Sequence, residues 1–379
     1  MMYFVPSWYH ENEFKEYENY WYISRQVTEF DDSVKQVQMF NRNNIMDYKI
    51  LNLSYCPNFR HFLHRQSVFH APYWSCFDAI QEIRRTKVDI LSYRDLMWPD
   101  YTEFVYTPFC IVAYVHNEKY AEIHFGEDGN MIEVFLFQSE IMVRKNVYDD
   151  RGFLSTTIVY ENNQPIYEQY LDEKGNWKLL HFFEDDHIEI NSENPYYLIG
   201  NKRFTFDSLN YDSMESLIEE VFSTYLDEMT EKSDIFCLAM HILHHDLLES
   251  LFSKRKTILS FYQNRLELFE DAELKSLIRS TNYCIVDSKH KIRPLEKYAG
   301  KTLPIVDITP FDTRADFGIS QQLTVQNILV PIDSIEQSKF EALIVLFAKY
   351  FETNETARVH FFTRNANWDR VDSVLNFTR

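Results

Sequence analysis

Glycine is scarce in this chain, which has 7 Gly and 11 Pro among its 379 residues. The first glycine is Gly126, and the chain contains no G-x-G-x-x-G, no G-x-x-x-x-G-K-[ST] and no G-x-S-x-G. These motifs need glycine where the backbone turns tightly or approaches a ligand closely. The sequence therefore excludes the dinucleotide-binding fingerprint, the P-loop and the nucleophile elbow, and we predict no cofactor.

Positive charge is also in short supply, because 38 Lys and Arg residues stand against 58 Asp and Glu residues and leave a formal net charge of −20. An acidic surface repels nucleic-acid phosphates and anionic lipid headgroups. We therefore expect no nucleic-acid partner and no unaided binding to a membrane.

Long apolar runs are missing as well. The longest uncharged apolar runs, such as 107–115 and 342–348, are far shorter than the ~20 residues that cross a bilayer, and the N-terminus lacks a basic segment followed by an apolar one. The five cysteines are widely spaced with no C-x-x-C, which is typical of reduced thiols. These features predict a cytoplasmic protein without a transmembrane segment.

Aromatic residues, by contrast, are abundant, with 31 Phe and 25 Tyr. In the first hundred residues, short apolar segments predict strands over residues 3–6, 48–55 and 88–93. Helix-start signals occur at Asp32 and Asn58, and residues 77–85 also have a helical pattern. Strands separated by helices indicate parallel β-α-β winding.

Between about residues 103 and 190 the pattern changes to turn signals that recur roughly every 11 residues, the interval expected of consecutive hairpins. No helical pattern interrupts this region, so an antiparallel meander is predicted. Its clearest strand segments are 131–138, 141–148, 153–160, 165–171 and 177–183.

Strand-helix alternation returns after Asp212, and a further β-α-β pattern covers 327–332, 338–350 and 358–363. One β-α-β unit cannot cover both faces of its sheet, so either a partner completes this last region or the chain is part of a longer protein. The predicted fold class is α/β, with four segments: a first part of a Rossmann-like domain (1–103), an inserted β-meander domain (104–195), the continuation of the Rossmann-like domain (196–320) and an incomplete second Rossmann-like domain (321–379).

Residues 241–246 (HILHHD) are the first candidate site. On an α-helix, His241 and His245 lie one turn apart and Glu249 extends their face, as in zinc-binding helices. The metalloprotease pattern, however, needs Glu directly after the first His, and Ile242 stands there. We favour a His-rich loop and helix start over a metal-dependent enzyme.

Residues 60–65 (RHFLHR) are a second candidate, because they follow a strand's carboxyl end, where α/β proteins bind ligands. One interpretation is a cationic helix start that meets a ligand phosphate. The other is an amphipathic helix whose basic residues balance the charge of acidic residues around them. We favour the second, since charged faces are usually solvated or paired.

Two carboxylates and one loop pair complete the candidates. Glu220 and Glu228 are eight residues apart, a spacing that is a useful pattern for the Glu pair of retaining sugar-nucleotide transferases. Because no glycine-rich loop accompanies them, we interpret them as a solvated helix face.

Asp312 and Arg314 follow the strand predicted over 303–308, in a loop between two domains where partners or ligands bind. They either brace this loop or form an exposed partner contact, and we favour the contact. No catalytic residue and no metal ligand is predicted.

Ordered sequence blocks run nearly from end to end of the chain: 4–9 (FVPSWY), 30–32 (FDD), 36–40 (QVQMF), 57–65 (PNFRHFLHR), 75–81 (SCFDAIQ), 106–109 (YTPF), 148–153 (YDDRGF), 165–172 (PIYEQYLD) and 310–314 (PFDTR). These blocks resemble the accessory Sec system protein family, the first of the three accessory secretory proteins of Gram-positive bacteria.

This resemblance implies a glycosyltransferase-like GT-B fold whose first Rossmann half carries an inserted extended β-sheet domain. It also implies a role in the export of serine-rich-repeat glycoprotein adhesins. The implied partners are the two sister accessory proteins, an accessory SecA-type ATPase and the glycoprotein preprotein, which would recruit the chain to the cytoplasmic face of the membrane.

Two features depart from an active GT-B enzyme. Family members are longer than this chain, and the loop that holds donor diphosphate, usually of a Gly-Arg type, reads Val330-Pro331-Ile332-Asp333-Ser334. Lys339 stands where a diphosphate-binding Lys would follow, but Asp333 repels phosphate and Pro331 lacks an N–H donor. We therefore predict a non-catalytic export factor that acts by binding proteins, with or without direct binding of glycan. The alternative is an active GT-B glycosyltransferase acting on a protein substrate.

Overall fold

The computed structural model describes residues 1–10, 12–16, 18–23, 31–43, 46–244, 247, 251, 254–299, 303–309, 324–333, 335–363 and 370. The chain divides into two compact units, Met1–Pro310 and Phe311–Arg379. The domain boundaries predicted at 103/104, 195/196 and 320/321 stay predictions.

The strands of the described residues are numbered in chain order: β1 (Met2–Val5), β2 (Tyr48–Asn52), β3 (Tyr73–Ser75), β4 (Thr102–Tyr106), β5 (Ile111–Val115), β6 (Glu118–Phe125), β7 (Met131–Gln138), β8 (Ile141–Asp149), β9 (Phe153–Glu161), β10 (Gln164–Leu171), β11 (Trp177–Phe182), β12 (Ile188–Ile190), β13 (Tyr196–Ile199), β14 (Lys202–Thr205), β15 (Asn210–Tyr211), β16 (Ile235–Ala239), β17 (Lys256–Phe261), β18 (Tyr283–Val286), β19 (Ile305–Asp307), β20 (Gln326–Pro331) and β21 (Ala357–Phe362). The α-helices of the same residues are α1 (Asp32–Asn43), α2 (Phe59–Arg65), α3 (Cys76–Ile80), α4 (Met214–Met229), α5 (Asp271–Ser280), α6 (Ile292–Ala299) and α7 (Gln337–Thr353).

A seven-stranded parallel sheet forms the centre of the first unit, in the order β19-β18-β17-β16-β1-β2-β3. The interior strand β1, between β16 and β2, is apolar and buried along its whole length, because helices cover both faces of the sheet. Tyr3 and Val5 pack in the core cluster that contains α4, and Met2 and Phe4 pack in the cluster that contains α1. The parallel β-α-β winding predicted from strand-helix alternation is confirmed.

A ten-stranded antiparallel sheet is inserted between β3 and β16, in the order β15-β12-β11-β10-β9-β8-β7-β6-β5-β4. Consecutive strands from β4 to β12 pair as hairpins, and several turns use residues with positive φ, such as Asn117, Gly129 and Asn163. The strand predicted over 131–138 has these bounds in the structure, and those predicted over 141–148, 153–160, 165–171 and 177–183 differ by one residue at one end.

The strand predicted over 88–93 is wrong. The third strand of the first region is β3, and residues 88–92 form no strand. The Asp89 N–H donates instead to the Arg151 carbonyl at 3.1 Å, in the turn between β8 and β9, and Ile90 is 93% exposed. A short apolar segment thus lies at the surface here, with a backbone hydrogen bond from Asp89 to a turn instead of a ladder. We call residues 88–92 the surface strap.

The second unit contains β20 and β21, which pair in parallel, and the crossover helix α7 between them. Ile332, Phe340 and Ile344 form its buried core. Together with the parallel and antiparallel sheets of the first unit, this arrangement confirms the predicted α/β fold class. None of the helices in the described ranges is long and apolar enough to cross a membrane.

Candidate functional site

Polar side chains gather at the carboxyl edge of the parallel sheet, where α/β proteins bind their ligands. Since β1, β16 and β17 are parallel neighbours, the segments that follow them meet at this edge. We call the group the edge cluster; its members are Ser7, Tyr9, Asp31, Asp32, His241, His244, Ser260 and Arg265.

Arg265 is the centre of the charged half of the edge cluster. Its guanidinium donates to Asp32 Oδ1 at 2.6 Å, to Asp31 Oδ2 at 3.0 Å and to Ser7 Oγ at 2.8 Å. Burial opposes its charge, but the two carboxylates outweigh burial and raise the pKa of Arg265. The cation is therefore neutralised inside the protein.

The two carboxylates have further donors of their own. Asp31 Oδ1 accepts the Ser33 and Val34 backbone N–H groups at 2.9 and 3.2 Å, which caps the start of α1. Asp32 Oδ2 accepts the Ser260 hydroxyl at 2.5 Å. Burial, with the charge of Asp31 beside it, raises the pKa of Asp32 to about 6. Both acids therefore serve to fix the helix start onto the sheet.

The histidines form the neutral half of the edge cluster. His244 is buried; its Nδ1 donates to the Ala239 carbonyl at 2.8 Å, and its Nε2 accepts the Tyr9 hydroxyl at 2.7 Å. Burial lowers the pKa of His244 to about 3 and that of His241 to about 4, with Arg265 adding to both. Both nitrogens of His244 are thus committed to protein partners in a neutral ring.

The metal hypothesis for His241 and His245 requires both residues to lie on one α-helix, and the structure does not place His241 on an α-helix. His241 precedes a short 3-10 turn over Ile242–His244 rather than lying on an α-helix. His245 and Glu249 lie outside the described residues. Within the part of the chain that the structure describes, no three His, Cys, Asp or Glu side chains are grouped to hold a metal ion.

The phosphate interpretation of residues 60–65 is wrong, because the protein's own Asp150 occupies the start of α2. Its carboxylate accepts the backbone N–H groups of Arg60 and His61 at 3.0 and 3.2 Å. The basic side chains pair with acids, Arg65 with Glu18 at 2.8 Å and His61 with Asp128 at 3.3 Å. The alternative interpretation, in which the basic residues of this helix balance the charge of acidic residues around them, is confirmed.

Glu220 and Glu228 lie on α4 and are held by different partners. Glu220 accepts the Tyr211 hydroxyl and the Asp207 backbone N–H, and Glu228 pairs with Lys202 at 2.6 Å. They are therefore not purely solvated, because each ties α4 to residues of the segment 202–211, which precedes the helix in the chain. Neither is arranged as one member of a catalytic carboxylate pair.

The loop that would hold a donor diphosphate lies after β20 in the second unit. Asp333 Oδ1 accepts the Thr363 hydroxyl at 2.5 Å, and the Ile332 N–H donates to the Phe362 carbonyl at 2.9 Å. Lys339, which stands in the position of a diphosphate-binding Lys, pairs with Glu336 at 2.9 Å. A carboxylate therefore stands where a phosphate would need donors.

The predicted contact residues Asp312 and Arg314 lie outside the described residues. Conversely, the charged half of the edge cluster was not predicted as a site. Asp32 carried a helix-start signal, but Arg265 is more than 200 residues away, and no local motif indicates that it meets Asp31 and Asp32.

The sequence of this chain is similar to that of a known protein family. The family model described as accessory Sec system protein, that of accessory secretory protein 1, matches residues 1–378. The protein of that name from Streptococcus gordonii is 32% identical over 342 residues, and that from Staphylococcus aureus is 28% identical over 373 residues. The matches cover 89% and 97% of this chain, but the chain spans only 63% and 70% of the two relatives.

Comparison with solved structures supports the same relationship. The complex of accessory secretory proteins 1, 2 and 3 from Streptococcus pneumoniae contains a chain with a TM-score of 0.83 at 27% identity, and the glycosylation-associated protein complex from Streptococcus agalactiae one with 0.81 at 28%. All of this chain is covered in both, against 76% and 74% of those chains.

A third solved structure shows the fold class. The pneumococcal O-GlcNAc transferase in complex with UDP and GlcNAc matches the whole of this chain and 74% of its own with a TM-score of 0.68, but at 10% identity. That likeness shows a glycosyltransferase-type fold and nothing more. With the family model matched from the first residue to the last but one, the chain belongs to the accessory Sec system protein family, that of accessory secretory protein 1.

Proposed function

We propose that this chain is a non-catalytic component of accessory Sec export. It assists the export of serine-rich-repeat glycoprotein adhesins by binding the two sister accessory proteins, an accessory SecA-type ATPase and the glycosylated preprotein. It acts in the cytoplasm, and these partners bring it to the cytoplasmic face of the membrane. Family membership and the two solved complexes support this role.

The observation that carries the non-catalytic part is the internal neutralisation of the edge cluster. A transferase needs charged and polar groups that face its substrate and meet the charge that develops in the transition state. Here Arg265 binds Asp31, Asp32 and Ser7 instead. The charges that could act on a sugar nucleotide are committed to holding α1 against the sheet.

The second unit supports the same conclusion independently. Diphosphate binding relies on backbone N–H groups and cations. The last residue of β20 is Pro331, which has no N–H, and the segment that follows contains Asp333, whose charge repels phosphate. A sugar-nucleotide donor therefore meets no matched set of donors in this loop.

The test combines turnover with binding for the full chain. The chain is incubated with UDP-GlcNAc and other sugar nucleotides, with and without unglycosylated adhesin, and released nucleotide is measured. In parallel, tagged chain is used to capture the two sister accessory proteins. We expect capture of the sister proteins and nucleotide release no faster than in buffer. Sustained nucleotide release or sugar transfer would establish the alternative, an active GT-B glycosyltransferase.

A further inference from the structure

Positive charge gathers on the solvent side of α6 and of the 3-10 turn that leads into it. Residues 288–299 contain four Lys and Arg residues against one Glu, in a chain whose formal net charge is −20. We call the exposed part the α6 basic surface; it consists of the side chains of Lys289, His290, Arg293 and Lys297. The sign of the charge on this surface is therefore opposite to that of the chain as a whole.

Most of the α6 basic surface has no partner inside the protein. Within the described part of the chain, no group hydrogen-bonds or pairs with the side chains of Lys289, His290 or Arg293. Lys297 pairs with Asp271 on α5 at 3.3 Å, but both side chains are largely exposed, and such pairs contribute little to stability. The charges of Lys289 and Arg293 are therefore available to an anion from outside.

The apolar side of α6 is already used within the first unit. Leu295 is fully buried in the core cluster that contains α4, and Ile292, Tyr298 and Ala299 pack against that cluster. A helix that lies on a bilayer buries its apolar face among the lipids, and a helix that docks into a groove offers that face to its partner. α6 has no free apolar face for either purpose, so its solvent side offers charge alone.

The length of the α6 basic surface limits the anion that fits it. Arg293 and Lys297 lie one helical turn apart, and Lys289 and His290 lie in the turn before them, so the cations extend over roughly 12 Å. A single phosphate contacts one turn, whereas a short chain of carboxylates follows the whole length. A polyanion that extends further, such as a nucleic acid or a bilayer surface, meets the acidic remainder of the chain and is repelled.

We propose that the α6 basic surface binds a short acidic segment of a protein partner. The carboxylates of that segment accept charge-assisted hydrogen bonds from Lys289, Arg293 and Lys297, and the Arg293 guanidinium offers two parallel N–H groups to one of them. Glu296 is exposed beside these cations and opposes binding. This inference does not depend on the proposed function, because it rests on the charges of α6 alone.

The experiment titrates the full chain into a fluorescently labelled peptide of eight Glu residues, and into a matched peptide of eight Gln residues, and follows fluorescence anisotropy. We expect the Glu peptide to bind, with an affinity that falls as salt is added, and the Gln peptide not to bind. Lys289→Glu/Arg293→Glu should weaken binding of the Glu peptide about tenfold, and Glu296→Gln should tighten it about twofold.

A matched variant separates a local contact from the effect of net charge. Arg144→Glu/Lys174→Glu reverses two exposed cations of the inserted sheet, so it changes the net charge by the same amount, and it should bind the Glu peptide within about twofold of the wild type. Equal losses in the two double variants would overturn the proposal. So would a Glu peptide that does not bind, or one that binds no better than the Gln peptide. Circular dichroism checks that each variant keeps its fold.

A last measurement distinguishes a protein segment from a membrane. The wild type and Lys289→Glu/Arg293→Glu are each sedimented with phosphatidylglycerol vesicles. We expect the two proteins to sediment with the vesicles to the same extent, because α6 has no apolar face to insert. Vesicle binding by the wild type that the double variant loses would assign the surface to an anionic membrane and overturn the proposal.

Discussion

Lys178 is a fully buried cation of β11 that joins separate segments of the first unit. Its Nζ donates to Glu82 Oε2 at 2.8 Å and to the carbonyls of Asn194 and Tyr196 at 3.1 and 2.7 Å. Burial lowers the pKa of Lys178, and the Glu82 carboxylate opposes that effect. One ammonium thus satisfies three acceptors that have little access to water.

Replacing this ammonium should be costly. Lys178→Met keeps the length of the side chain but removes the ammonium donor from two half-buried carbonyls and leaves Glu82 with Arg203 as its remaining cation, so we expect the free energy of unfolding to fall by about 3 kcal/mol. Urea denaturation measures the change. Lys174→Met, in an exposed turn, is the control and should change stability by less than about 0.5 kcal/mol. Similar losses in both variants would contradict this role of Lys178.

Asp150 at the start of α2 predicts a pH effect. Burial, with Asp149 beside it, raises the pKa of Asp150 to about 7, whereas an exposed Asp titrates near 3.8. The folded state therefore holds a proton that the unfolded state releases between these values. The resulting stability is full below about pH 4 and is lost as pH rises to about 7.

The measurement compares Asp150→Asn with the wild type by urea unfolding between pH 4 and pH 7. Asn keeps an acceptor for the α2 backbone but does not ionise. We expect the stability of the variant relative to the wild type to rise by roughly 2–4 kcal/mol across this range. A relative stability that is constant, or that falls with pH, would show that Asp150 is ionised without cost in the folded protein.

Among the elements, the turn between β8 and β9 carries a steric requirement. Gly152 has φ +89°, and a Cβ built on it lies 1.6 Å from the carbonyl oxygen of Asp89 in the surface strap. Gly175, in the turn between β10 and β11, has φ +85° with open space around a Cβ. The two glycines therefore separate the cost of backbone conformation from the cost of contact with the strap.

Alanine at both positions tests this separation. Gly175→Ala should cost about 1 kcal/mol, because only the left-handed conformation opposes it. Gly152→Ala should cost at least about 3 kcal/mol, since the strap must also move away. Chemical unfolding gives both values, and proteolysis at the strap should accelerate in Gly152→Ala only. Equal losses in the two variants would show that the strap yields easily.

The antiparallel sheet and the strap show what the sequence could predict at this scale. Strands such as β7 were placed to the residue because each pairs with its neighbours in the chain, so turn residues and alternation define it. The segment 88–93 has a similar pattern but lies in the strap. A local pattern cannot show whether a ladder partner is available. The charged half of the edge cluster could not be predicted for a related reason, because Arg265 and Asp31 meet only once the sheet has formed.

At the scale of the whole molecule, the partner contact predicted for Asp312 and Arg314 falls on residues outside the described ranges and stays a prediction. We propose that Arg314, with Asp312, binds a sister accessory protein or the export ATPase. Arg314→Ala should leave the thermal midpoint nearly unchanged and weaken binding to one of these partners by at least about 2 kcal/mol. Isothermal titration with each purified partner measures the change.

The control for this prediction is Arg144→Ala, which removes an exposed arginine of β8. It tests whether any loss of positive charge on an acidic protein weakens binding. If Arg314→Ala binds every partner with the affinity of the wild type, the partner contact is wrong. The alternative then holds, in which Asp312 and Arg314 only brace each other.

The pairing of β1 with β16 has a consequence for synthesis. Met2 lies beside Ile235, so β1, an interior strand of the parallel sheet, lacks one of its two neighbouring strands until more than 230 further residues have been translated. At roughly 5–20 residues per second, this interval lasts about 10 to 50 seconds. The hairpins of the inserted sheet emerge and pair during that time. The nascent chain therefore carries an unfinished, apolar N-terminal strand on the ribosome beside an already ordered β-structure, which is the state that chaperones must protect.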